Sequence, residues 1–185
     1  DLFELLKKSA YMESATILVP EQANVEQVGI AHCGKYVKKI ANGSLDEKEQ
    51  RRLGLRWSSV LAKRSFIAVN GSLLAARSAL QYGVSCHLAG GTHHSHFDFG
   101  SGFCVFNDLA FTALTLTKTK EVKNILIFDC DVHLGDGTAR ILENNDRTFT
   151  CSIHSSKNFP YRKANSDLDI GLEDNMSWLG SKKYL

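Results

Sequence analysis

The sequence lacks several features that would assign it to a special class of protein. Two prolines among 185 residues exclude a proline-rich linker. No apolar run approaches the roughly 18 residues that a membrane-spanning helix needs, and the N-terminal segment has neither the basic nor the apolar part of a signal peptide. A net charge of only +2 gives no reason to expect nucleic acid or a membrane surface as a partner. With 43% hydrophobic residues, the chain is expected to form a globular domain with its own core.

The cysteines show no paired pattern either. There are five, an odd number, and none belongs to a CxxC motif. Cys86, Cys130 and Cys151 lie in apolar runs, where cysteine behaves as a small buried hydrophobic residue. This usage predicts a reducing compartment, which is the cytoplasm, and also the nucleus in a eukaryote.

The two ends of the chain suggest a piece of a longer protein. The chain begins with Asp1, and its first methionine is Met12. It stops in a polar stretch after Trp178. We therefore expect residues 1–185 to form one domain that is incomplete at its C-terminal end.

Hydrophobic periodicity predicts helices and strands that alternate along the chain. Helices are predicted at residues 2–8, 24–40, 58–81, 107–117 and 138–143, and strands at residues 84–89, 125–128 and 149–154. Ser44 and Glu47 have the spacing of a capping box at a helix start. The polar tail from Arg162 gives no prediction. This order of elements predicts an α/β fold with a mostly parallel sheet flanked by helices.

The most informative stretch is Asp129–Gly137, which follows the apolar strand at residues 125–128. Because side chains alternate along a strand, Asp129, Asp131 and His133 are expected on one side while the strand continues. Two carboxylates and an imidazole at the end of a buried strand are costly unless a partner compensates them. A divalent metal is the simplest partner, and Asp131 and His133 are the best ligand candidates. The alternative is a strand end with capping carboxylates and one chance histidine.

The other two predicted strands also end in polar residues. One is followed by the loop 90–96, which contains the tandem pair His93 and His94, and the other ends in the polar residues 152–156. Sites of open α/β sheets lie beyond the carboxyl ends of the strands, so we expect these loops to converge. A hydrolytic metal site also needs an acid and a base, for which the tandem histidines are candidates. Asp129 and Asp136 are candidate partners for their second ring nitrogens.

Each of these residues has a plainer interpretation as well. His93 and His94 are alternatively metal ligands or loop residues without a role, and Asp136 is alternatively a helix cap. Other residues near these loops have ordinary structural interpretations as loop, strand-end or core side chains: His87, His96, His154, Phe103 and Phe159. The two phenylalanines would alternatively wall an apolar channel, as in many substrate sites.

Four segments resemble the histone deacetylase family in order and spacing: Gly90–His94, Gly102–Asp108, Asp129–Thr138 and Ser152–His154. The resemblance runs from about Val19 to Leu172. Within it, residues 51–54 and 157–160 are most similar to the class IV branch and its bacterial relatives. The resemblance implies a three-layer arginase/deacetylase-like α/β fold and zinc-dependent hydrolysis of the amide of N-acetyl-lysine in histones or other proteins.

The resemblance also implies roles for individual residues. Zinc would be bound by Asp131 and His133. The acid and the base would be the tandem histidines, each supported by one carboxylate: His93 by Asp129, and His94 by Asp136. The channel for the acetyl-lysine side chain would be lined by Gly102, Phe103 and Phe159.

Two monovalent cation sites are implied in the same way. A structural potassium ion would be bound by the side chains of Asp129, Asp131 and Ser152 and by the carbonyls of His133 and Ile153. A second ion would be bound by carbonyls near Leu142, Asn145 and Thr148.

The chain departs from the family pattern at one important point. The family's third zinc ligand is a later Asp, and its transition-state tyrosine lies in a later Gly-rich loop; neither is found in these residues. The aspartates and tyrosines of the tail are not in the required contexts: Asp167, Asp169, Asp174, Tyr161 and Tyr184. Leu134 also replaces a residue that is more often polar.

Three functions therefore stay open. The first is a zinc-dependent deacylase of acetyl-lysine or longer acyl-lysine. The second is an enzyme for small molecules, either a deacylase of acetylated amines such as acetylpolyamines or a manganese ureohydrolase. The third is a catalytically silent chain that acts only by binding, which the missing ligand and tyrosine favour for these residues alone.

Overall fold

Helices precede and separate three parallel strands in the computed structural model, which describes residues 2–174. In chain order the elements are α1 (Leu2–Lys7), a 3₁₀ helix (Ala10–Met12), α2 (Val25–Val28), α3 (Gly34–Asn42), α4 (Glu47–Leu53), α5 (Ser59–Tyr82), α6 (Asp108–Lys118), β1 (Ile125–Asp129), α7 (Asp136–Leu142), β2 (Thr148–Ser155) and β3 (Leu168–Leu172). None of the helices within the described residues is long and apolar enough to cross a membrane.

The sheet has the order β1-β2-β3, and both strand pairs are parallel. Asp129, the last residue of β1, pairs with Ser152 of β2. Ile125 and Ile127 face the hydrophobic core, whereas Leu126 and Phe128 on the opposite face are 63% and 59% exposed. Residues 2–174 thus supply the parallel sheet and the helical layer on one of its faces. The predicted α/β class with a parallel sheet is confirmed.

The core is formed by α5 and α6, which pack on each other, together with buried residues of α2, α3 and α4. Helix α6 also packs on β1. Phe66 of α5 and Phe106, just before α6, meet edge to face with ring centroids 5.0 Å apart. Asn107 caps α6 by accepting a hydrogen bond from the Ala110 amide. This cap fixes where α6 begins, and the same Asn107 side chain contacts the loop that carries the tandem histidines.

Most predicted elements are confirmed with shifts of no more than about two residues at their ends, as is usual for helix and strand boundaries. The predicted helix at residues 24–40 is wrong, because α2 and α3 are separate helices. The intervening residues turn toward the loop that follows the tandem histidines. Cys33 donates its amide hydrogen to the Phe97 carbonyl, and His32 Nδ1 lies 2.9 Å from the His96 carbonyl oxygen. Tertiary hydrogen bonds therefore replace helix continuation here.

The predicted strand at residues 84–89 is also wrong, since these residues form no strand in the structure. Val84 and Leu88 are 84% and 50% exposed, and a strand needs a neighbour with which to pair. His87 instead packs over Gly71 of α5, where a Cβ would lie 2.5 Å from His87 Nε2.

Two local features of the structure differ from the sequence-based predictions. The capping box at the start of α4 is formed by Asp46 and Glu49, and not by Ser44 and Glu47. The Ser44 hydroxyl donates to Asn42 instead. In the polar tail, β3 pairs with β2 although its residues 168–172 show little strand character.

Candidate functional site

The tandem histidines lie in the loop between α5 and α6, and two helices hold their backbone. The side-chain amide of Asn107 donates to the carbonyls of His93 (3.3 Å) and Ser95 (3.1 Å). The Thr138 amide of α7 donates to the His93 carbonyl at 3.0 Å. Gly137 packs so closely that a Cβ there would overlap the Ser95 carbonyl oxygen. The histidines are therefore presented from a clamped segment.

A buried carboxylate holds the segment of the loop just before the tandem histidines. Asp108, which is completely buried, accepts hydrogen bonds from the amides of Gly91 (3.0 Å) and Thr92 (2.7 Å) and from the Thr92 hydroxyl. Its Oδ2 also accepts from the Ser72 hydroxyl, which lies 2.9 Å from His87 Nδ1. Apart from its place in a family motif, no sequence pattern singles out Asp108. Its four donors explain how a carboxylate is kept in the interior.

His93 is paired with Asp129 at the end of β1. His93 Nδ1 lies 2.5 Å from Asp129 Oδ2, and the two side chains are only 7% and 13% exposed. Gly135 makes room for the pair, because a Cβ there would lie 2.6 Å from Asp129 Oδ2. A carboxylate on Nδ1 leaves Nε2 as the nitrogen that faces the site.

His94 is paired with Asp136, the first residue of α7. His94 Nδ1 lies 2.7 Å from Asp136 Oδ1, and both side chains are buried. The Phe159 ring meets the His94 ring edge to face at 4.8 Å. The planes of the His93 and His94 rings are tilted by 52°, with centroids 4.2 Å apart. Two histidine–carboxylate pairs thus lie side by side.

Asp131 and His133 lie beside these pairs and are more open to solvent. Asp131 Oδ1 is 3.0 Å from His133 Nδ1 and 3.8 Å from His93 Nε2. The loop is shaped by its own carboxylates, since the Asp131 amide donates to Asp129 and the His133 amide donates to Asp131. The side chains of Asp131 and His133 are 50% and 37% exposed, so they can be reached from outside.

Burial and the neighbouring charged groups shift the pKa values of the site residues in opposite directions. Burial is the largest single influence on His93 and lowers its pKa, but the Asp129 hydrogen bond and the nearby carboxylates together raise that pKa above its ordinary value. Burial likewise raises the pKa of Asp129, yet the contact with His93 leaves it lowered. The pKa of Asp136 falls to about 2, because hydrogen bonds from His94 and His96 outweigh its burial. Both carboxylates are therefore ionised at neutral pH.

The predicted channel residues lie around the histidines. Gly102 has φ +53°, and a Cβ there would lie 2.6 Å from His94 Cδ2. Phe103 is 69% exposed, has φ +63°, and donates its amide hydrogen to the Leu53 carbonyl at 2.9 Å. Its ring rests on Gly54, at the end of α4. Phe159 contacts both His94 and His133 through ring edges.

The residues that the resemblance assigns to monovalent cations are distributed over two places. Ser152 is buried next to Asp129 in the sheet, and its hydroxyl lies 3.0 Å from His154 Nδ1. Ile153 follows it in β2. The second set lies where α7 leads into β2, and there the carbonyls of Leu142 and Asn145 accept amide hydrogens from Asn145 and Thr148. Both cation sites stay predictions.

One residue of the site was missed by the sequence interpretation. His96, considered an ordinary loop residue, has Nε2 only 3.0 Å from Asp136 Oδ2. Its spacing of two from His94 was the available signal, since an extended loop can turn both side chains to one side. Tyr161 is 93% exposed, and Tyr184 lies outside the described residues.

The donor set fits a zinc ion only in part. Carboxylate oxygen and imidazole nitrogen are both zinc ligands, and each lies about 2 Å from the ion in proteins, so the 3.0 Å between Asp131 Oδ1 and His133 Nδ1 suits two ligands of one ion. Within residues 2–174, however, no three His, Cys, Asp or Glu side chains form a group that could hold a metal ion. Paired histidines and carboxylates beside such a half-site, at the end of a parallel strand, are typical of metal-dependent hydrolases.

Comparison with known proteins shows the family of this chain. The family described as "Histone deacetylase domain" matches residues 1–178. The chain therefore belongs to the histone deacetylase family, whose members are deacetylases and are typically zinc-dependent.

Two related sequences come from bacteria. The chain is 40% identical over 175 residues to an uncharacterized protein of Picosynechococcus, covering 95% of this chain and 58% of that protein. It is 31% identical over 180 residues to the acetoin utilization protein AcuC of Staphylococcus xylosus, covering 92% of this chain and 46% of AcuC. The chain thus spans about half the length of these curated relatives.

Solved structures share the fold. The crystal structure of an HDAC homolog from Aquifex aeolicus matches with a TM-score of 0.74 and 22% identity, over 91% of this chain and 51% of that one. A structure of an HDAC homolog complexed with SAHA matches with the same TM-score and 23% identity. These likenesses confirm the deacetylase-like fold that the resemblance implied.

Proposed function

We propose that the full protein to which this chain belongs hydrolyses the amide of acetyl-lysine, or of lysine with a longer acyl group, in proteins or peptides. The observation that carries the proposal is the pair of buried histidine–carboxylate contacts, His93–Asp129 and His94–Asp136, beside Asp131. Such pairs supply what amide hydrolysis requires, which is one group that takes a proton and another that gives one.

Asp131 and His133 would hold the zinc ion, and a third ligand would come from outside this chain. When bound, zinc would polarise the amide carbonyl and lower the pKa of a water molecule to about 7. The half-exposed ligands suit this role, because a catalytic metal needs an open position.

The two histidines would divide the proton transfers. Each has Nδ1 bound to a carboxylate, so each exchanges protons through Nε2. One histidine removes a proton from the attacking water, and the other protonates the leaving lysine amine. The carboxylates stabilise the imidazolium form and fix the ring orientation. His93 Nε2, 3.8 Å from Asp131 Oδ1, already lies next to the proposed ligand.

The substrate side chain would lie between Phe103 and Phe159, with Gly102 at its side. The methylene groups of lysine are apolar, and aromatic walls suit them. Gly102 lets the substrate approach His94, since any larger residue there would contact the His94 ring. Potassium at Asp129, Asp131 and Ser152, with the carbonyls of His133 and Ile153, would balance the clustered carboxylates.

The proposal also includes the class of deacetylase and the cellular location of the protein. Residues 51–54 and 157–160 support a class IV-like deacetylase. The protein would be a chromatin regulator only if its substrates are histones. Relatives in Picosynechococcus and Staphylococcus, together with five free cysteines, support a cytoplasmic location.

Hydrolysis of a fluorogenic acetyl-lysine peptide by the zinc-loaded full protein tests the proposal. We expect turnover in the wild type and a loss of at least about 100-fold in the His94→Ala variant, because an acid–base group contributes about that much or more. Zinc content and the thermal midpoint of the variant serve as controls for its fold. An active His94→Ala variant would refute the assigned role.

The same purified protein also tests the two alternative functions, an enzyme for small molecules and a silent binding chain. Turnover of acetylpolyamines but not of peptides would indicate a small-amine deacylase, and activity with manganese on guanidino substrates would indicate a ureohydrolase. The lack of a complete metal-binding group within residues 2–174 favours a silent binding role for this chain on its own. If the isolated chain binds zinc although it supplies only two of the proposed ligands, that result would argue against a silent binding role.

A further inference from the structure

Asp136 accepts hydrogen bonds from two histidines and not from one. His94 Nδ1 lies 2.7 Å from Oδ1, and His96 Nε2 lies 3.0 Å from Oδ2. Asp136 itself is only 7% exposed. Each oxygen of the buried carboxylate thus has its own imidazole, and the rotation of the carboxylate is determined by both.

His96 is held in place independently of Asp136. Its amide donates to the Phe99 carbonyl at 2.9 Å, and its own carbonyl lies 2.9 Å from Nδ1 of the buried His32. Its ring is stacked on Phe99 with centroids 4.4 Å apart and an interplanar angle of 20°. The Arg52 guanidinium lies 4.4 Å from the centre of the same Phe99 ring. Backbone and ring contacts therefore aim Nε2 at the carboxylate.

The direction of the hydrogen bond follows from the chemistry of the two groups. An ionised carboxylate only accepts, so Nε2 of His96 carries the hydrogen and donates it to Oδ2. Removing this donor would leave a buried carboxylate oxygen without a partner. The carboxylate would then be free to rotate or to attract water, and its other oxygen would lose alignment with His94.

We propose that His96 is a positioning residue, which holds Asp136 so that Oδ1 stays bound to Nδ1 of His94. Its role in turnover rests on the hydrolysis proposed above, because it acts only through His94. The hydrogen-bond relation among His96, Asp136 and His94 does not depend on which substrate is used.

Two substitutions of His96 separate its hydrogen bond from its ring stacking. His96→Phe keeps an aromatic ring on Phe99 but removes the donor. His96→Gln loses the ring but places an amide donor at the position of Nε2. With activity counted per folded, zinc-loaded molecule, we expect His96→Phe to lower kcat about tenfold, a typical effect of removing an orienting partner. KM should change little, since His96 does not line the proposed channel, and His96→Gln should recover most of kcat.

The kinetic outcomes are decisive in both directions. A lower kcat in His96→Phe with recovery in His96→Gln supports the proposal. Wild-type kcat in His96→Phe overturns it, because the donor would then be unnecessary. An equal loss in both variants also overturns it, since the ring and not the hydrogen bond would matter.

A second readout does not need turnover. In protein labelled with ¹⁵N-histidine, ring N–H protons bound to carboxylates are protected from exchange and resonate downfield. We expect His96→Phe to shift the His94 Nδ1–H signal or speed its exchange, and His96→Gln to preserve it. An unchanged His94 signal in His96→Phe would overturn the proposal. If the wild type hydrolyses no acetyl-lysine substrate, the proposed function fails, and this spectrum still decides the role of His96.

Discussion

His93 Nδ1 lies 2.5 Å from Asp129 Oδ2, although 36 positions separate the two residues in the sequence. Asp129 ends β1, and His93 belongs to the loop that precedes α6. The contact therefore joins the edge of the sheet to the histidine loop. It also sets the chemistry of His93, because the carboxylate keeps the pKa of the imidazole raised despite its burial.

Replacing Asp129 by Asn should remove this support. The amide oxygen of Asn can still accept from Nδ1, but the negative charge is lost, so the pKa of His93 should fall relative to the wild type. We expect hydrolysis to fall by at least about 100-fold. An NMR titration of ¹⁵N-labelled histidines measures the pKa directly. Asp98→Asn, which removes the same charge from an exposed residue of the same loop, is the control and should leave the His93 titration unchanged.

Gly137→Ala should destabilise the protein. A Cβ at this position would overlap the Ser95 carbonyl oxygen and lie 2.7 Å from the His94 carbonyl carbon, and the clamped backbone has little room to move. Overpacking of this kind costs about 3 kcal/mol of unfolding free energy, which urea denaturation measures. Gly34→Ala is the matched control, since nothing lies within 4 Å of a Cβ there. Equal stability of the two variants would contradict the proposed clamp.

Gly54→Ala should affect substrate binding through Phe103. Gly54 has φ +79°, and a Cβ there would lie 2.7 Å from Phe103 Cε1, so the ring must move. We expect a higher KM for the acetyl-lysine peptide. Gly83→Ala also introduces backbone strain, at φ +92°, but its Cβ meets no atom within 4 Å. Both variants should lose at least about 1 kcal/mol of stability, whereas only Gly54→Ala should change KM. The same KM in both would show that Phe103 does not wall the channel.

His32 should make stability fall as the pH becomes acidic. Burial lowers its pKa in the folded protein from 6.5 to about 4, so the unfolded chain takes up the proton first. The stabilisation is complete above pH 6.5 and is lost as the pH falls toward 4. Between pH 7 and pH 5 it should decrease by about 2 kcal/mol.

His32→Gln is the comparison for this pH dependence, because its amide oxygen can still accept from the Asn107 amide, as His32 Nε2 does. Urea denaturation at both pH values should show a smaller loss in the variant than in the wild type. The same loss in both proteins would assign the pH dependence to other groups.

Much of the fold and of the site could be predicted from the sequence, because the signals that specify them are local in the chain. The apolar run before Asp129 and the helical spacing of α5 and α6 are strong periodic signals, and the sheet topology then brings the strand ends together. What failed depended on distant partners. Residues 84–89 have strand-like composition but no paired neighbour among residues 2–174, and β3 is a strand paired with β2.

The third histidine escaped prediction for a similar reason. Nothing near His96 in the sequence shows that Asp136, 40 positions later, turns its second oxygen toward it. The break between α2 and α3 has the same origin, because His32 and Cys33 bond to the loop at His96 and Phe97. Such contacts are set by tertiary packing, which periodicity does not describe.

The most direct test of the central claim is the release of acetate from an acetyl-lysine peptide by the full protein, before zinc removal, after it, and after zinc is returned. We expect one acetate for each free lysine amine formed, loss of release on chelation, and recovery with zinc but not in an Asp131→Ala variant. A folded, zinc-replenished protein that releases no acetate from any acyl-lysine peptide would contradict the proposed function.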